Sequence, residues 1–428
     1  MTSKQSKLPP HYRRNFTLGL IHGISFSFAM AFSDPFSLLP LFLQSFTNSR
    51  TVIGFLVSII KAGSAVPQLF IAGKMRSMSR GKPILVWSIW VRWLAWGLLA
   101  VVTFLWGQEN PIIVIVAFVG FLSIFSLAGG VASVPFFNMI AKSIPTEKRG
   151  HFFGMRQFWG GLFAMAGGYL VKVVLSNQGL PFPKNYGVLF FTTSGVLSIG
   201  YLALSFFKEE PSNLTPEKEE NRQPMLSTVI HYLRTIVPLR HLILSQILSS
   251  SLLISLPFFV LHAKDELAFP TAWVGYFVTA QMMGGMVSNF LWARLSDRMG
   301  NLLVIKGAIL VGIGAVTLAL FVKTFWLYAL VFVLTGFFLN GTSIGYYNYI
   351  MELGTEQQRP LFLSTQGTML LPVHFYPFLG GILADSYGYQ AIFLISLAML
   401  IVSAFLTQWL CEPRAKEAKC VTITNDVP

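Results

Sequence analysis

Nine side chains able to carry a proton, an ion pair or a strong hydrogen bond stand inside otherwise apolar runs: Ser27, Asp34, Lys61, Arg92, Gln246, Gln281, Asn340, Tyr347 and His374. Polar groups at such depth are costly, so each marks a candidate solute or ion path. Gly23, Ser27 and Asp34 follow at spacings of four and seven, which places them on one face of a continuous helix. Lys61 falls at a similar depth, roughly 15 Å from the end of its run at 1.5 Å per residue. The two charges are expected to meet across neighbouring helices. With Lys61 close, Asp34 stays ionised; with Lys61 withdrawn, desolvation invites a proton.

The remaining candidates are read in the same way. Arg92 lies in "WSIWVRWLAW" among Trp87, Trp90, Trp93 and Trp96, where it either binds an anionic group or stacks on the rings. Gln246 with Ser249 and Ser250, Gln281 with Gly285 and Ser288, and Asn340 with Ser343 and Tyr347 form polar stripes at helical spacing. His374 lies between Pro372 and Pro377, where broken backbone hydrogen bonds expose carbonyls; it serves as an interhelical donor or as a proton carrier. Two buried bases against one clear buried acid lean toward an anionic or zwitterionic organic solute. The abundant aromatic residues equally suit an amphipathic compound pumped outward.

Several classes of chemistry are disfavoured. The seven histidines are scattered without metal-ligand spacing, and no cluster of His, Asp, Glu or Cys suggests an enzyme. No Gly-x-x-x-x-Gly-Lys-Ser/Thr sequence is present, which argues against ATP-driven pumping by this chain. No cofactor and no metal is expected. A net charge of +14 would suit nucleic-acid binding, but the placement of the charges points elsewhere.

The elements that must position these residues are long apolar runs. The chain is 54% hydrophobic and 11% charged, and its apolar stretches reach about twenty residues, the length of a bilayer-crossing helix. Twelve spans are predicted: 16–43, 51–73, 83–107, 111–141, 151–176, 187–207, 239–262, 271–294, 302–323, 325–351, 360–384 and 390–411. The longest internal polar stretch begins "KEEPSNLTPEKEENRQP" and reads as a solvated linker. The expected layout is an N-terminal tail (1–15), a six-helix bundle (16–207), a linker (208–238), a second six-helix bundle (239–411) and a C-terminal tail (412–428). Alternate loops hold 24 of the 31 Lys and Arg residues on one side and five on the other, with Lys61 and Arg92 inside spans. That asymmetry predicts both termini in the cytoplasm of a multi-pass protein of the plasma or bacterial inner membrane.

The halves also echo each other. "PTEKRGHFFGMRQ" after span 4 corresponds to "GTEQQRPLFLSTQ" after span 10, and each following helix carries a glycine pair, Gly167–Gly168 and Gly380–Gly381. Between spans 8 and 9, Ala293–Asn301 reads "ARLSDRMGN". This stretch resembles the Gly-x-x-x-Asp-Arg-x-Gly-Arg loop of the major facilitator superfamily. Asp297, Arg298 and Gly300 match; Ala293 and Asn301 depart from it. The equivalent "GKMRSMSRGK" after span 2 keeps Gly73 but has Ser77 where the acid belongs.

The resemblance implies an all-α integral membrane fold of twelve helices in two pseudo-symmetric bundles. It also implies a transporter working by alternating access, with span 3 in an outer supporting ring, which favours stacking for Arg92. Asp297, Arg298 and Gly300 are then expected to act in gating, with Glu147/Arg149 and Glu356/Arg359 forming similar contacts. Proton-coupled drug antiporters of the superfamily carry an arginine in helix 4 and a Gly-Pro motif in helix 5; "IFSLAGGVASVPFFN" lacks the first and "GGLFAMAGGYLV" the proline. The expected function is secondary transport of a small organic solute with a proton or another ion as coupling partner, by a monomer in the bilayer. An exporter of amphipathic compounds and a non-transporting receptor on the same fold remain the alternatives.

Overall fold

A computed structural model of the protein describes residues 9–414 apart from 76–77, 211–224 and 355–357. Among these, every regular element is helical. The α-helices are α1 (Tyr12–Ala31), α2 (Leu38–Gln44), α3 (Arg50–Met75), α4 (Lys82–Trp106), α5 (Pro111–Ser143), α6 (Thr146–Leu175), α7 (Lys184–Ser205), α8 (Met225–Thr235), α9 (Val237–Ser249), α10 (Leu252–Asp265), α11 (Val274–Met299), α12 (Asn301–Phe321), α13 (Phe325–Leu353), α14 (Arg359–Leu370) and α15 (Tyr376–Leu406). Nine segments of the described residues are long and apolar enough to cross a bilayer. The last of them, Leu361–Trp409, has 49 residues, more than two crossings require, and it is broken at Gly388 (φ 80°). α1 and α11 are long enough but less apolar. Twelve membrane helices follow. Trp326 and Phe321 are 81% and 76% exposed, as expected of side chains that face lipid.

Prolines explain where the spans depart from straight rods. Residue 34 precedes Pro35, and a residue before proline is pushed out of the helical region. α1 therefore stops at Ala31, and α2 resumes at Leu38. The expected common face of Gly23, Ser27 and Asp34 does not exist, because Asp34 lies beyond the helix end. In span 11, Pro372 and Pro377 remove two backbone donors, and a 3-10 turn, Leu371–Phe375, separates α14 from α15. Span 7 is also two helices, α9 and α10, which meet at Ser250 and Ser251 without a proline at the junction.

The chain divides into two compact units. The first comprises Met1–Phe46, Ile59–Lys218 and Ala272–Gly275. In it α4 packs on α5 and α7, and α1 packs on α6 and α7. The α1–α6 contact is close because Gly167 leaves no room for a Cβ against Ala31 and Phe28.

The second unit comprises Thr47–Ser58, Glu219–Thr271 and Tyr276–Pro428. α12 packs on α13 and α15, and α9 and α10 pack on α15. Gly380 approaches the backbone of Ile254 on α10 as Gly167 approaches α1. Span 5 therefore meets span 1 through Gly167, and span 11 meets span 7 through Gly380, the first glycine of each matched pair. Serines seal the second unit: Ser255 and Ser396 bond at 2.7 Å, and Tyr346 bonds Ser245 at 2.9 Å and Ser249 at 3.0 Å.

Candidate functional site

In the first unit two arginines and a histidine gather around a cavity of about 300 Å³. His22 and Phe26 come from α1, Ser64 and Gln68 from α3, Arg92 from α4, Phe136 from α5 and Arg156 from α6. No Asp or Glu is among its lining residues. Arg92 lies over the Phe125 ring at 4.2 Å and the Phe26 ring at 5.3 Å, and Arg156 over Phe136 at 5.0 Å. The rings that hold Arg92 therefore belong to α1 and α5, while Trp87 of its own helix points outward, 65% exposed. His22 is 7% exposed and packs against Phe136 and Tyr201. Its Nδ1 and the Arg92 Nε are buried without a hydrogen-bond partner.

By sequence Arg156 groups with the loop charges, and no motif marks His22. Arg156 lies ten residues inside α6, where its side chain runs over Gly23 of α1; a Cβ there would collide with it. A partial signal exists, since Gly23 and His22 are adjacent in span 1. Nothing local ties them to Arg156.

Asp34 is buried at 3% exposure and holds the start of the short second helix. Its Oδ1 accepts the backbone N–H of Phe36 at 3.0 Å and of Ser37 at 2.7 Å. Lys61 lies 4.6 Å over the Phe36 ring, and no ion pair within 4 Å joins it to Asp34 among the described residues. The carboxylate closes the turn of Pro35–Ser37 that leads into α2, and the ammonium rests over an aromatic ring beside it. Ser27 packs against Gly160 of α6.

In the second unit the expected stripes meet. The Asn340 Nδ2 donates to the Gly285 carbonyl and, at 3.3 Å, to Ser288 Oγ, so α11 and α13 are joined there. Gln281 is buried at 6% exposure. Gln366 donates to Gln246 Oε1 at 2.6 Å. His374 sits in the 3-10 turn, and Tyr347 is 53% exposed.

The major facilitator superfamily family model matches residues 21–264 and again 242–423. The chain belongs to this superfamily. No curated protein matches it at the level of sequence. Among solved structures, a bacterial homologue of the iron transporter ferroportin in its inward-facing state is 18% identical, with a TM-score of 0.69 over 94% of this chain and 99% of that one. The nucleoside transporter NupG is 15% identical, with a TM-score of 0.64 over 92% and 98%. A D-xylose-proton symporter is 12% identical, with a TM-score of 0.71 over 95% and 99%. At these identities the likeness is one of fold, the transporter fold of a multi-pass membrane protein.

The superfamily loop at 293–301 is arranged differently from its expected clasp. Asp297 and Arg298 are exposed, and neither forms an ion pair within 4 Å among the described residues. Gly300 adopts φ 91°, a left-handed conformation that favours glycine, and it abuts the Glu412 carboxylate. Glu412 caps α12 by accepting the Leu302 N–H at 2.9 Å. Asn301, which replaces the usual arginine, bonds Glu352 at 2.7 Å and accepts from Ser296 at 2.6 Å. Arg414 donates to Glu352 and, at 2.9 Å, to the Ser296 carbonyl. The carboxylate hydrogen bonds raise the Arg414 pKa above its ordinary value.

The first unit repeats the capping. Its loop at 73–82 lacks the acid, and Glu209, just past α7, supplies one. The Glu209 carboxylate accepts the Gly81 N–H at 3.0 Å and the Lys82 N–H at 2.8 Å, and it pairs with Lys142 at 2.9 Å. In each half, then, an acid after the sixth span caps the third. Arg149 bonds the carbonyls of Ile144 at 3.0 Å and Ala141 at 2.7 Å, closing the end of α5, and Glu147 is exposed in the first turn of α6. Arg359 begins α14, and Glu356 lies outside the described residues.

A further polar cluster in the second unit carries no sequence signature. Asp385 accepts the backbone N–H groups of Arg50 and Thr51, both at 2.9 Å, and the hydroxyls of Thr51 at 2.7 Å and Ser49 at 3.1 Å. Arg50 donates to the Ala384 carbonyl at 3.0 Å and lies 4.2 Å over the Tyr389 ring. Asp385 thus caps the start of α3.

Proposed function

We propose that this protein is a secondary active transporter that moves a small organic solute across the membrane by alternating access. The observation that carries the reading is the cavity of His22, Arg92 and Arg156 within helices that face lipid, where two charged groups without an acid beside them are costly and mark a functional site. The solved structures of similar fold are described as handling iron, nucleosides or xylose, so the solute class has to be argued from this chain's own residues. Asp297 and Arg298, exposed and without an ion pair within 4 Å among the described residues, are free to pair in another state of the cycle and serve as the gate. Both termini lie in the cytoplasm, and the carrier acts as a monomer.

Asp34 is the candidate for proton coupling, because it is a buried acid in a break between two helices. The test is flux in proteoliposomes made from purified protein, run with and without a pH gradient. Solute should enter or leave against its own gradient when a proton gradient is imposed. Asp34→Asn, which keeps a capping oxygen, should abolish the pH dependence while preserving exchange. An unchanged pH dependence removes Asp34 from coupling, and saturable binding without any flux makes the protein a receptor rather than a carrier.

A further inference from the structure

The first-unit cavity has an unusual charge balance for a site in a membrane protein. Arg92 and Arg156 present two guanidinium groups to it, and its lining holds no acid. Both groups lie over aromatic rings, Arg92 with its guanidinium carbon 4.2 Å from the Phe125 centroid and 5.3 Å from that of Phe26, and Arg156 5.0 Å from that of Phe136. Stacking occupies the faces of a guanidinium and leaves its N–H edge available for an oxyanion. No carboxylate lies within 4 Å of either group among the described residues. The Arg92 Nε is buried without an acceptor, and the imidazole of His22, more than nine-tenths buried, has Nδ1 in the same state.

Two like charges in a low-dielectric interior repel each other and lose hydration, and protein-supplied compensation here is limited to ring faces. A bound anion would remove all three costs at once: it separates the charges, fills the N–H edges and gives His22 a partner. The volume of about 300 Å³ lies at the lower end of ordinary ligand pockets, which limits the solute to a small one. The walls contributed by Phe26, Phe136 and Phe137 are apolar and aromatic, while Ser64, Gln68 and Ser133 supply polar groups on the α3 and α5 side.

We propose that this cavity is the oxyanion subsite of the transporter: the N–H edges of Arg92 and Arg156, with His22, hold the carboxylate or phosphate of a small organic solute, and Phe26 and Phe136 cover its apolar body. The proposal rests on the transport reading for its physiological meaning, but its binding test stands independently. Arg92 is thereby both stacked and functional, because stacking holds the guanidinium in the orientation that binding needs. Arg156 and His22 are binding residues that no motif marks.

The test uses the full-length protein in detergent with three probes of one shape: benzoate, phenyl phosphate and neutral benzamide. Direct calorimetry and the ligand-induced rise in unfolding temperature are the readouts. The anions should bind saturably and benzamide at least about tenfold more weakly, the factor for losing a charge-assisted hydrogen bond. Arg92→Gln and Arg156→Gln should each weaken benzoate binding by about 10- to 100-fold and benzamide binding by much less, so that the preference for the anion shrinks. Preference for phenyl phosphate over benzoate would assign the site to phosphorylated solutes, and the reverse to carboxylates. If a glutamine variant does not fold, the discrimination between benzoate and benzamide by the wild type decides the matter without it. Equal affinity for benzamide, no saturable binding of either anion by the wild type, or wild-type affinity in folded glutamine variants overturns the proposal. Failure of the transport reading looks different: benzoate binds with the expected discrimination, yet proteoliposomes show no flux of it.

Discussion

Replacing Glu209 with Gln tests how the first unit compensates for its degenerate loop. The Glu209 side chain is 1% exposed and Lys142 15%, so their 2.9 Å pair is nearly dry. The same carboxylate accepts the Gly81 and Lys82 N–H groups at the start of α4, where the helix dipole favours negative charge. Removing one partner of a buried ion pair costs about 3–5 kcal/mol. Gln keeps one acceptor for the backbone, and Lys142 can turn partly toward water, so about 3 kcal/mol is the expected loss. For a unit of this size, each kcal/mol lowers the melting temperature by about 2–4 °C, which gives a drop of about 6–12 °C. Tryptophan fluorescence during heating is a direct assay, because Trp87, Trp90, Trp93, Trp96 and Trp106, five of the ten tryptophans, lie on α4. The double variant Glu209→Gln/Lys142→Met should recover part of the loss, since no lone cation is left behind. A single Glu209→Gln variant that melts within about 1 °C of the wild type would refute the argument that this acid holds the loop together.

Two further outcomes follow from the packing. Asp385→Ala removes every acceptor for the Arg50 and Thr51 amides, so hydrogen exchange in peptides covering 50–58 should accelerate by about 10-fold, the equivalent of about 1.4 kcal/mol, at this partly solvated cap. Peptides from α12 should be unaffected, and unchanged exchange at 50–58 would show that Asp385 is a spectator. Gly380→Leu drives a side chain into the Ile254 backbone and should destabilise by about 3 kcal/mol, whereas Gly195→Leu, at a position with no neighbour within 4 Å, should leave melting nearly unaltered. Equal melting temperatures for the two variants would contradict the close approach of α10 and α15.

Much of the architecture was legible because partition into lipid depends on local composition. Hydrophobic runs located the spans, the sided charges required an even count, and the glycine pairs and loop echoes revealed the duplication that the α1–α6 and α10–α15 contacts then display. The helix end at Ala31 was missed, because the apolar run 16–43 read as one helix although Pro35 after Asp34 interrupts it. The site was much less so. Arg92 was found through its depth, but its rings come from α1 and α5 rather than from its own tryptophans. Arg156 was hidden by its nearness to a charged loop, and His22 by its lack of any motif.

The sequence alone determined a twelve-helix membrane protein of duplicated design, because the cost of placing each residue in hydrocarbon is a property of that residue and its near neighbours. Which polar groups meet was decided only by the tertiary structure. Glu209 reaches the start of α4 across 127 residues of chain, and Asp385 reaches Thr51 across 334. Such pairings are set by how whole helices pack, and short-range periodicity carries no record of them.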